Sequence, residues 1–318
     1  MPSKIDVVAP ALFAGSASKH LAAAVERELG LSFSTCTSEC FPDGEVSVRL
    51  DEAVRGRDVI LLAATSPPVN DNLVELLAIA DACRRADAAR VVAVVSYFGY
   101  ARSDRRDGRR TPIMARLVAD LIERSGIDHV VTVDVHTPAL EGFFRVPADN
   151  LTAIPVLAAA LQSRISTGAV IVAPDLGAVR LANRYATKLD LPVAVCHKRR
   201  IGGAEVTIGR VTGDVAGRRC VIIADMISTG GTIAESVRAL EAEGALPNAI
   251  VAATHAVFAP GALDKIAGAG VRELLVTDSI HPHDTTSAPL TVGVVSIAPL
   301  VATAIRRLID GGSLRELA

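Results

Sequence analysis

Short aliphatic segments alternate with amphipathic helical stretches along the whole of this 318-residue chain, and that rhythm constrains the fold more than any other feature. Candidate strands cover residues 5–9, 58–63, 90–97 and 129–135 in the first half. In the second half they cover 169–173, 193–196, 205–211, 220–224, 249–255 and 273–277. Helical patterns lie between them over 72–86, 113–125, 176–189 and 233–243. In the last of these, Ile233, Val237 and Leu240 recur at i, i+4 and i+7 on one face. Strands that are apolar throughout, rather than at every second position, are buried on both faces, as in parallel sheets covered by helices. Aromatic residues make up only 3% of the chain, so the core must be built from Val, Ile, Leu and Ala. The alternation predicts an α/β fold with doubly wound parallel sheets and ligands at the carboxyl ends of the strands. The length exceeds that of a usual single domain, and Pro147-Ala148-Asp149-Asn150 interrupts the pattern. Two domains are therefore expected, residues 1–150 and 151–318.

A net charge of −2 offers no global attraction to nucleic acid or to an anionic membrane, so any anion site must be local. The five cysteines, Cys36, Cys40, Cys83, Cys196 and Cys220, show no C-x-x-C spacing, and nothing completes a metal site around Cys36 and Cys40. They read as buried or indifferent thiols of a reducing compartment. The N-terminus has no basic, apolar, cleavable segment, and no apolar run reaches membrane-spanning length. A cytoplasmic protein with neither nucleic-acid nor membrane partners is expected.

Six segments could carry chemistry. In 221–232 an apolar run ends at Asp225 and is followed by Ser228-Thr229-Gly230-Gly231-Thr232 and then a helix. A buried strand that delivers such a turn to a helix N-terminus presents backbone N–H groups and a partial positive charge to a phosphate. Asp134-Val135-His136 ends another strand. Alternation along that strand would point Asp134 and His136 to one side, where an imidazole beside carboxylates could meet a divalent metal or a phosphate. Pro174-Asp175-Leu176-Gly177-Ala178 is again strand, acid, turn and helix. Asp175 suits either Mg²⁺ or a helix N-cap. His197-Lys198-Arg199-Arg200, followed by Ile201-Gly202-Gly203, reads as a basic, glycine-hinged loop able to close over a polyphosphate, or as a solvated turn. The arginine-rich stretch from Arg102 and Ser103 to Arg110 follows Tyr97-Phe98-Gly99-Tyr100 and could grip a nucleoside triphosphate. Phe41-Pro42-Asp43-Gly44-Glu45 is a turn that could stack adenine and accept from its amine.

Together and in this order, these segments resemble the ribose-phosphate diphosphokinases, also called phosphoribosyl-diphosphate synthetases. Pro68-Val69-Asn70-Asp71-Asn72 and Gly142-Phe143-Phe144 extend the resemblance over almost the whole chain. It implies two domains of phosphoribosyltransferase type, with the last helix, over 297–308, a candidate to return to the N-terminal domain. It also implies transfer of the β,γ-diphosphoryl group of ATP to the 1-hydroxyl of ribose 5-phosphate, giving phosphoribosyl diphosphate and AMP, with Mg²⁺ as cofactor. By position, Phe41, Asp43, Gly44, Glu45, Arg102, Ser103 and His136 would contact ATP, and His136 and Asp175 would lie at the metal. Lys198 and Arg200 would be catalytic. Arg200, Asp225, Ser228, Thr229, Gly230, Gly231 and Thr232 would hold ribose 5-phosphate. A homo-oligomer with the ATP site at a subunit interface is implied as well. Three positions depart from the family: Ala224 stands where a second acid usually contacts the ribose, Ser228 where another acid is usual, and Ser103 where Gln is usual. A missing charged acceptor should cost about 1.5–3 kcal/mol of sugar binding. A non-catalytic relative and a phosphoribosyltransferase are the competing readings.

Overall fold

The computed structural model describes residues 9–106, 108, 110–165, 167–202, 205–281 and 288–318. For 198–202 and 205–207 it describes the backbone only. The chain folds as two compact units. The first holds the described residues up to Thr152 with Ser279–His281 and Ala298–Ala318, and the second holds Ala153–Asp278 and the described residues from 288 to Ile297.

In the first unit the order is β1 (Ala11–Ala14), α1 (Lys19–Leu29), β2 (Cys36–Cys40), β3 (Val46–Leu50), β4 (Asp58–Ala64), α2 (Val69–Arg85), β5 (Arg90–Tyr97), α3 (Met114–Arg124), β6 (His129–Val133) and β7 (Ala148–Leu151). Of the strand expected over 5–9 only Ala9 is described, and it lies before the first described strand. That strand starts at Ala11, and residues 5–8 lie outside the described residues. The sheet is parallel in the order β1-β4-β5-β6-β7, so the chain advances across it in one direction. Both alternations of its central strands are buried: Val59 and Leu61 on one face, Ile60 and Leu62 on the other. One face packs with Leu76 and Ile79 of α2 and Val118 and Ile122 of α3 in a single apolar cluster. β2 and β3 form a separate antiparallel hairpin. Their residues, Cys-Thr-Ser-Glu-Cys and Val-Ser-Val-Arg-Leu, are too polar and exposed to announce strands through an apolar run.

The second unit runs α4 (Ile154–Gln162), β8 (Val170–Ala173), α5 (Val179–Leu189), β9 (Val193–Gly202), β10 (Glu205–Thr212), β11 (Arg219–Ile227), α6 (Gly231–Ala242), β12 (Leu246–Ala256), α7 (Ala262–Ala267), β13 (Val271–Thr277) and β14 (Thr291–Val295). The sheet order is β10-β9-β8-β11-β12-β13-β14, parallel except for the edge pair β9–β10. The last helix, α8 (Ala298–Asp310), belongs to the first unit and packs against α1. The Arg306 guanidinium donates to the carbonyls of Glu28 and Leu29 near the end of α1, at 3.2 and 3.4 Å. Cations are favoured at such helix ends.

All five cysteines are free. Burial pushes the Cys83 and Cys220 thiols up to about 12 and those of Cys36 and Cys196 up to about 11, so these four stay protonated and inert near neutrality. No helix among the described residues is long and apolar enough to cross a membrane.

A buried carboxylate ties the first turn after β1 to α2. Glu75 is buried and accepts from the Ser16 amide at 2.8 Å and the Ser16 hydroxyl at 2.6 Å. Replacing it with Ala leaves two donors to be satisfied elsewhere. We expect Glu75→Ala to cost about 1–3 kcal/mol, read as a lower midpoint in thermal or urea unfolding, and an unchanged midpoint would show that water replaces the carboxylate there.

Candidate active site

In the second unit, β8 and β11 are hydrogen-bonded neighbours running the same way. After β8 the chain moves out to β9, and after β11 it moves out on the other side to β12, so the order reverses between these two strands. Crevices at such switch points, beyond the carboxyl ends of the strands, are where open α/β sheets bind ligands. The turn after β8 carries Asp175 and the turn after β11 carries Ser228–Thr232, so two of the segments singled out in the sequence leave neighbouring strands at the same edge.

The loop after β11 has the geometry of an anion cradle. Gly230 has φ 71°, in the left-handed region, and precedes the first residue of α6. A Cβ on Gly230 would stand 2.8 Å from Ile266 Cγ1 and 2.9 Å from the Ala262 carbonyl oxygen, so both the backbone angle and the packing of α7 require glycine. At Gly231 a Cβ would meet only Thr229 Oγ1, at 3.8 Å. The first intrahelical bond of α6 runs from the Ala234 amide to the Gly230 carbonyl at 3.0 Å. The amides of Gly231, Thr232 and Ile233 therefore precede that ladder, and no acidic side chain occupies the first turn to compete with an anion. Thr229 is exposed, while Ser228 and Thr232 are half-buried.

Strand β11 continues past 224, the end expected from the sequence, to Ile227, and this separates Ala224 from Asp225. Cys220, Ile222 and Ala224 alternate into the apolar cluster that also holds Ile233, Val237 and Leu240 of α6. Asp225 follows on the opposite face, half-buried, with Oδ1 accepting from the Met226 amide at 2.8 Å. Ala224 is a packing residue, on the face of β11 opposite Asp225. Asp175 caps the short helical turn Leu176–Ala178, with Oδ1 accepting from the Ala178 amide at 3.1 Å.

Residues 197–202 of the basic segment are extended where their composition suggested a glycine-hinged loop, and Gly203 lies outside the described residues. Strand β9 runs on through the segment to Gly202, with Lys198 opposite Ile208 and Arg200 opposite Val206 of β10. An antiparallel partner supplies the backbone hydrogen bonds that make extended structure available to so charged a stretch. The side chains of Lys198 and Arg200 lie outside the described residues. His197 is half-buried, with Nε2 3.0 Å from Thr212 Oγ1.

In the first unit, Phe41, Asp43, Gly44 and Glu45 form the tip of the β2–β3 hairpin, and all four are exposed. The Phe41 amide donates to the Glu45 carbonyl at 2.8 Å, and Asp43 Oδ1 accepts from the Glu45 amide at 3.1 Å. Gly44 has φ 91°. The 97–103 segment is held by Thr65, a residue that no sequence motif marks. Thr65 Oγ1 accepts from the Gly99 amide at 2.6 Å and donates to the Tyr97 carbonyl at 3.1 Å. A Cβ on Gly99 would lie 2.6 Å from the Thr65 carbonyl oxygen. Arg102 is exposed. Ser103 turns inward: its hydroxyl accepts from the Met114 amide at 3.2 Å at the start of α3. Phe144 is likewise a core residue, its ring edge-on to Phe98 at 6.0 Å.

The expectation that Asp134 and His136 share one side of a strand is overturned. Strand β6 ends at Val133, and Asp134 takes φ 38°, a left-handed angle that breaks the alternation. Asp134 is buried, and its Oδ1 accepts from the Thr152 hydroxyl at 2.9 Å. His136 is exposed.

Among the described residues no three His, Cys, Asp or Glu side chains gather into a metal cage. Mg²⁺ does not need one: it commonly takes one or two carboxylates, with substrate phosphates and water completing its shell. Asp175 at a strand-end turn fits that role. His136, the other residue expected at the metal, is exposed.

Comparison with known proteins shows the family. The family described as the N-terminal domain of ribose phosphate pyrophosphokinase matches residues 10–126, and the phosphoribosyl transferase domain family matches residues 148–284. A ribose-phosphate pyrophosphokinase of Agrobacterium fabrum is 42% identical over 307 residues, covering 96% of this chain and 99% of its own. One from Vibrio parahaemolyticus is 43% identical over 308 residues, covering 96% and 98%. The crystal structure of phosphoribosylpyrophosphate synthetase from Mycobacterium smegmatis superposes with a TM-score of 0.89 at 39% identity, covering 96% of this chain and all of that one. With such identity sustained from end to end across both units, the chain belongs to the ribose-phosphate pyrophosphokinase family.

Proposed function

We propose that this protein is an ATP- and Mg²⁺-dependent ribose-phosphate pyrophosphokinase. The 1-hydroxyl oxygen of ribose 5-phosphate bonds to the β-phosphorus of ATP, the bond from that phosphorus to the bridging oxygen of the α-phosphate breaks, and the hydroxyl proton is released. The products are phosphoribosyl diphosphate and AMP. One observation carries the reading: the β11–α6 turn offers the Gly231–Ile233 amides at a sheet switch point, in a chain 42% identical to a pyrophosphokinase along its length.

Transfer of this kind needs positioning and charge neutralisation more than covalent help from the protein. In the second unit, Ser228–Thr232 hold the 5-phosphate and Asp225 accepts from ribose hydroxyls. Lys198 and Arg200, placed on β9 at the same sheet edge, counter the charge on the transferred group. In the first unit, exposed Phe41 stacks on adenine, Asp43 and Glu45 accept from its amine, and Arg102 forks onto phosphate oxygens. His136 donates to a phosphate oxygen. Gly44 and Ser103 act through shape, as the turn and the cap described above. Asp175, with substrate phosphates, would hold Mg²⁺, which would supply neutralisation of the phosphate charge. The reaction's soluble phosphorylated substrates and the free thiols suit a cytoplasmic enzyme.

The test is AMP formation from ATP in the presence of Mg²⁺, followed with and without ribose 5-phosphate. We expect AMP only with the sugar phosphate, and Lys198→Ala should lower kcat by at least about 100-fold, in the range seen when a charge-stabilising donor is removed. Absence of sugar-dependent AMP from the unmodified protein would leave the non-catalytic relative as the better reading. Gly230→Ala should raise the KM for ribose 5-phosphate by about tenfold or more, because a Cβ at φ 71° drives the loop off α7 and disperses its amides. An unchanged KM would remove the 5-phosphate from this loop.

We further propose that the enzyme works as a homo-oligomer. Val74 on α2 and Leu117 and Leu121, four residues apart on α3, are 49%, 48% and 42% exposed, more than expected of large apolar side chains on neighbouring helices without a cover. A second copy of this chain is the occupant favoured by a symmetric, self-complementary contact. Leu117→Glu should lower the mass measured by light scattering to that of a smaller species, whereas retention of the parent mass would place the subunit contact elsewhere.

A further inference from the structure

Beyond the residues that touch substrate, the first unit contains a clamp around the strand end that carries His136. Three consecutive residues of β7 and its exit grip Thr132 and the chain just beyond it. The Asn150 carboxamide oxygen accepts from the Val135 amide at 3.1 Å and from the Thr132 hydroxyl at 3.1 Å. The Leu151 carbonyl accepts from the Asp134 amide at 2.9 Å. The Thr152 hydroxyl donates to the Asp134 carboxylate at 2.9 Å, and the Thr152 amide donates to the Leu317 carbonyl at 2.8 Å.

This arrangement does something a plain strand end would not. Asp134 is a non-glycine residue at φ 38°, a conformation that costs free energy and persists only when its surroundings hold it. The turn there takes the chain off the sheet edge, so the direction of His136 is set by residues 134 and 135 and not by strand alternation. On its far side, Thr137 caps the short helical segment Pro138–Phe143, its Oγ1 accepting from the Ala139 amide at 3.4 Å. His136 thus lies between two tethered residues while its own side chain is exposed. Asn150 holds both the strand (through Thr132) and the departing loop (through Val135) with one atom.

We propose that Asn150 is a positioning residue for His136: its carboxamide oxygen fixes the left-handed exit at Asp134 and so aims the imidazole. The proposal rests on the reading above in which His136 meets a phosphate of ATP.

The experiment is a double-mutant cycle on the full-length protein, with Asn150→Ala, Asn150→Asp, His136→Ala and the double variant Asn150→Ala/His136→Ala. Asn150→Ala should raise the KM for ATP or lower kcat by about 10- to 100-fold, as expected when a contacting group is displaced by about an ångström. The KM for ribose 5-phosphate should stay within about twofold. Asn150→Asp keeps an accepting oxygen and should recover most of the activity. In the His136→Ala background, Asn150→Ala should add less than about twofold. Full additivity, or failure of Asn150→Asp to recover activity, would overturn the positioning role. His136 ring resonances, assigned from the His136→Ala spectrum, give a readout independent of turnover: they should shift and broaden in Asn150→Ala and return toward the parent in Asn150→Asp. If His136→Ala is itself fully active while those resonances respond to Asn150, the ATP role of His136 fails and the positioning stands. If the resonances do not respond, the positioning fails.

Discussion

The second unit depends on the pairing of β8 with β11. Three register pairs, Val170 with Cys220, Ile171 with Val221 and Val172 with Ile222, lock two buried parallel strands side by side. The partners lie about 50 residues apart in the chain, so the pairing closes a long loop whose entropy the buried strands must offset. Because the chain departs from the two strands in opposite directions, no crossover covers the edge where they end. An α/β sheet has few places where backbone amides and carboxylates can be left unburied without cost to the core, and this is one of them. Asp175 and the Ser228–Thr232 loop occupy it. A chain whose net charge is −2 can in this way hold a strongly anionic substrate, since the field that matters is made by helix-start amides and a few local side chains.

The first unit solves a different problem with the same elements. Its described strands succeed one another across the sheet without reversal, so there is no switch point among them to exploit. Its candidate contacts sit instead on appendages: a polar hairpin that carries Phe41–Glu45 at its tip, and two strand exits bent into left-handed turns at Tyr100 and Asp134. Each bend is offset by specific hydrogen bonds. Thr65 holds Gly99 just before Tyr100, and Asn150 and Thr152 hold the residues around Asp134. Strain of this kind belongs where side-chain direction matters more than stability.

Two of the departures from the family pattern, Ser103 and Ala224, have structural roles of their own. Ser103 is engaged in capping α3, and Ala224 lies in the apolar cluster against the α6 side of the sheet. Each therefore has a packing or capping reason to be what it is.

Much of this was legible in the residues. The central strands are continuous Val, Ile, Leu and Ala runs, since both faces are buried and periodicity of two would be a liability there. The cradle could be read because the requirement for Gly230 and Gly231 after an apolar run is local, and the Ile233–Leu240 stripe behind it is a local pattern as well. Other features could not be read. The β2–β3 strands lack an apolar alternation, and the basic stretch after Cys196 is extended only because β10 returns alongside it. Asp134 looks like one more strand residue until Thr152 and Leu151 are brought against it. By itself, then, the sequence determined the fold class, the aliphatic core and the glycine turn before α6, all of which depend on residues near one another in the chain. The tertiary structure alone decided which strands became neighbours, that Ala224 faces the core and Asp225 the opposite side, and how the chain turns off β6 at Asp134, because those depend on hydrogen bonds and packing between segments that meet only when the chain has folded.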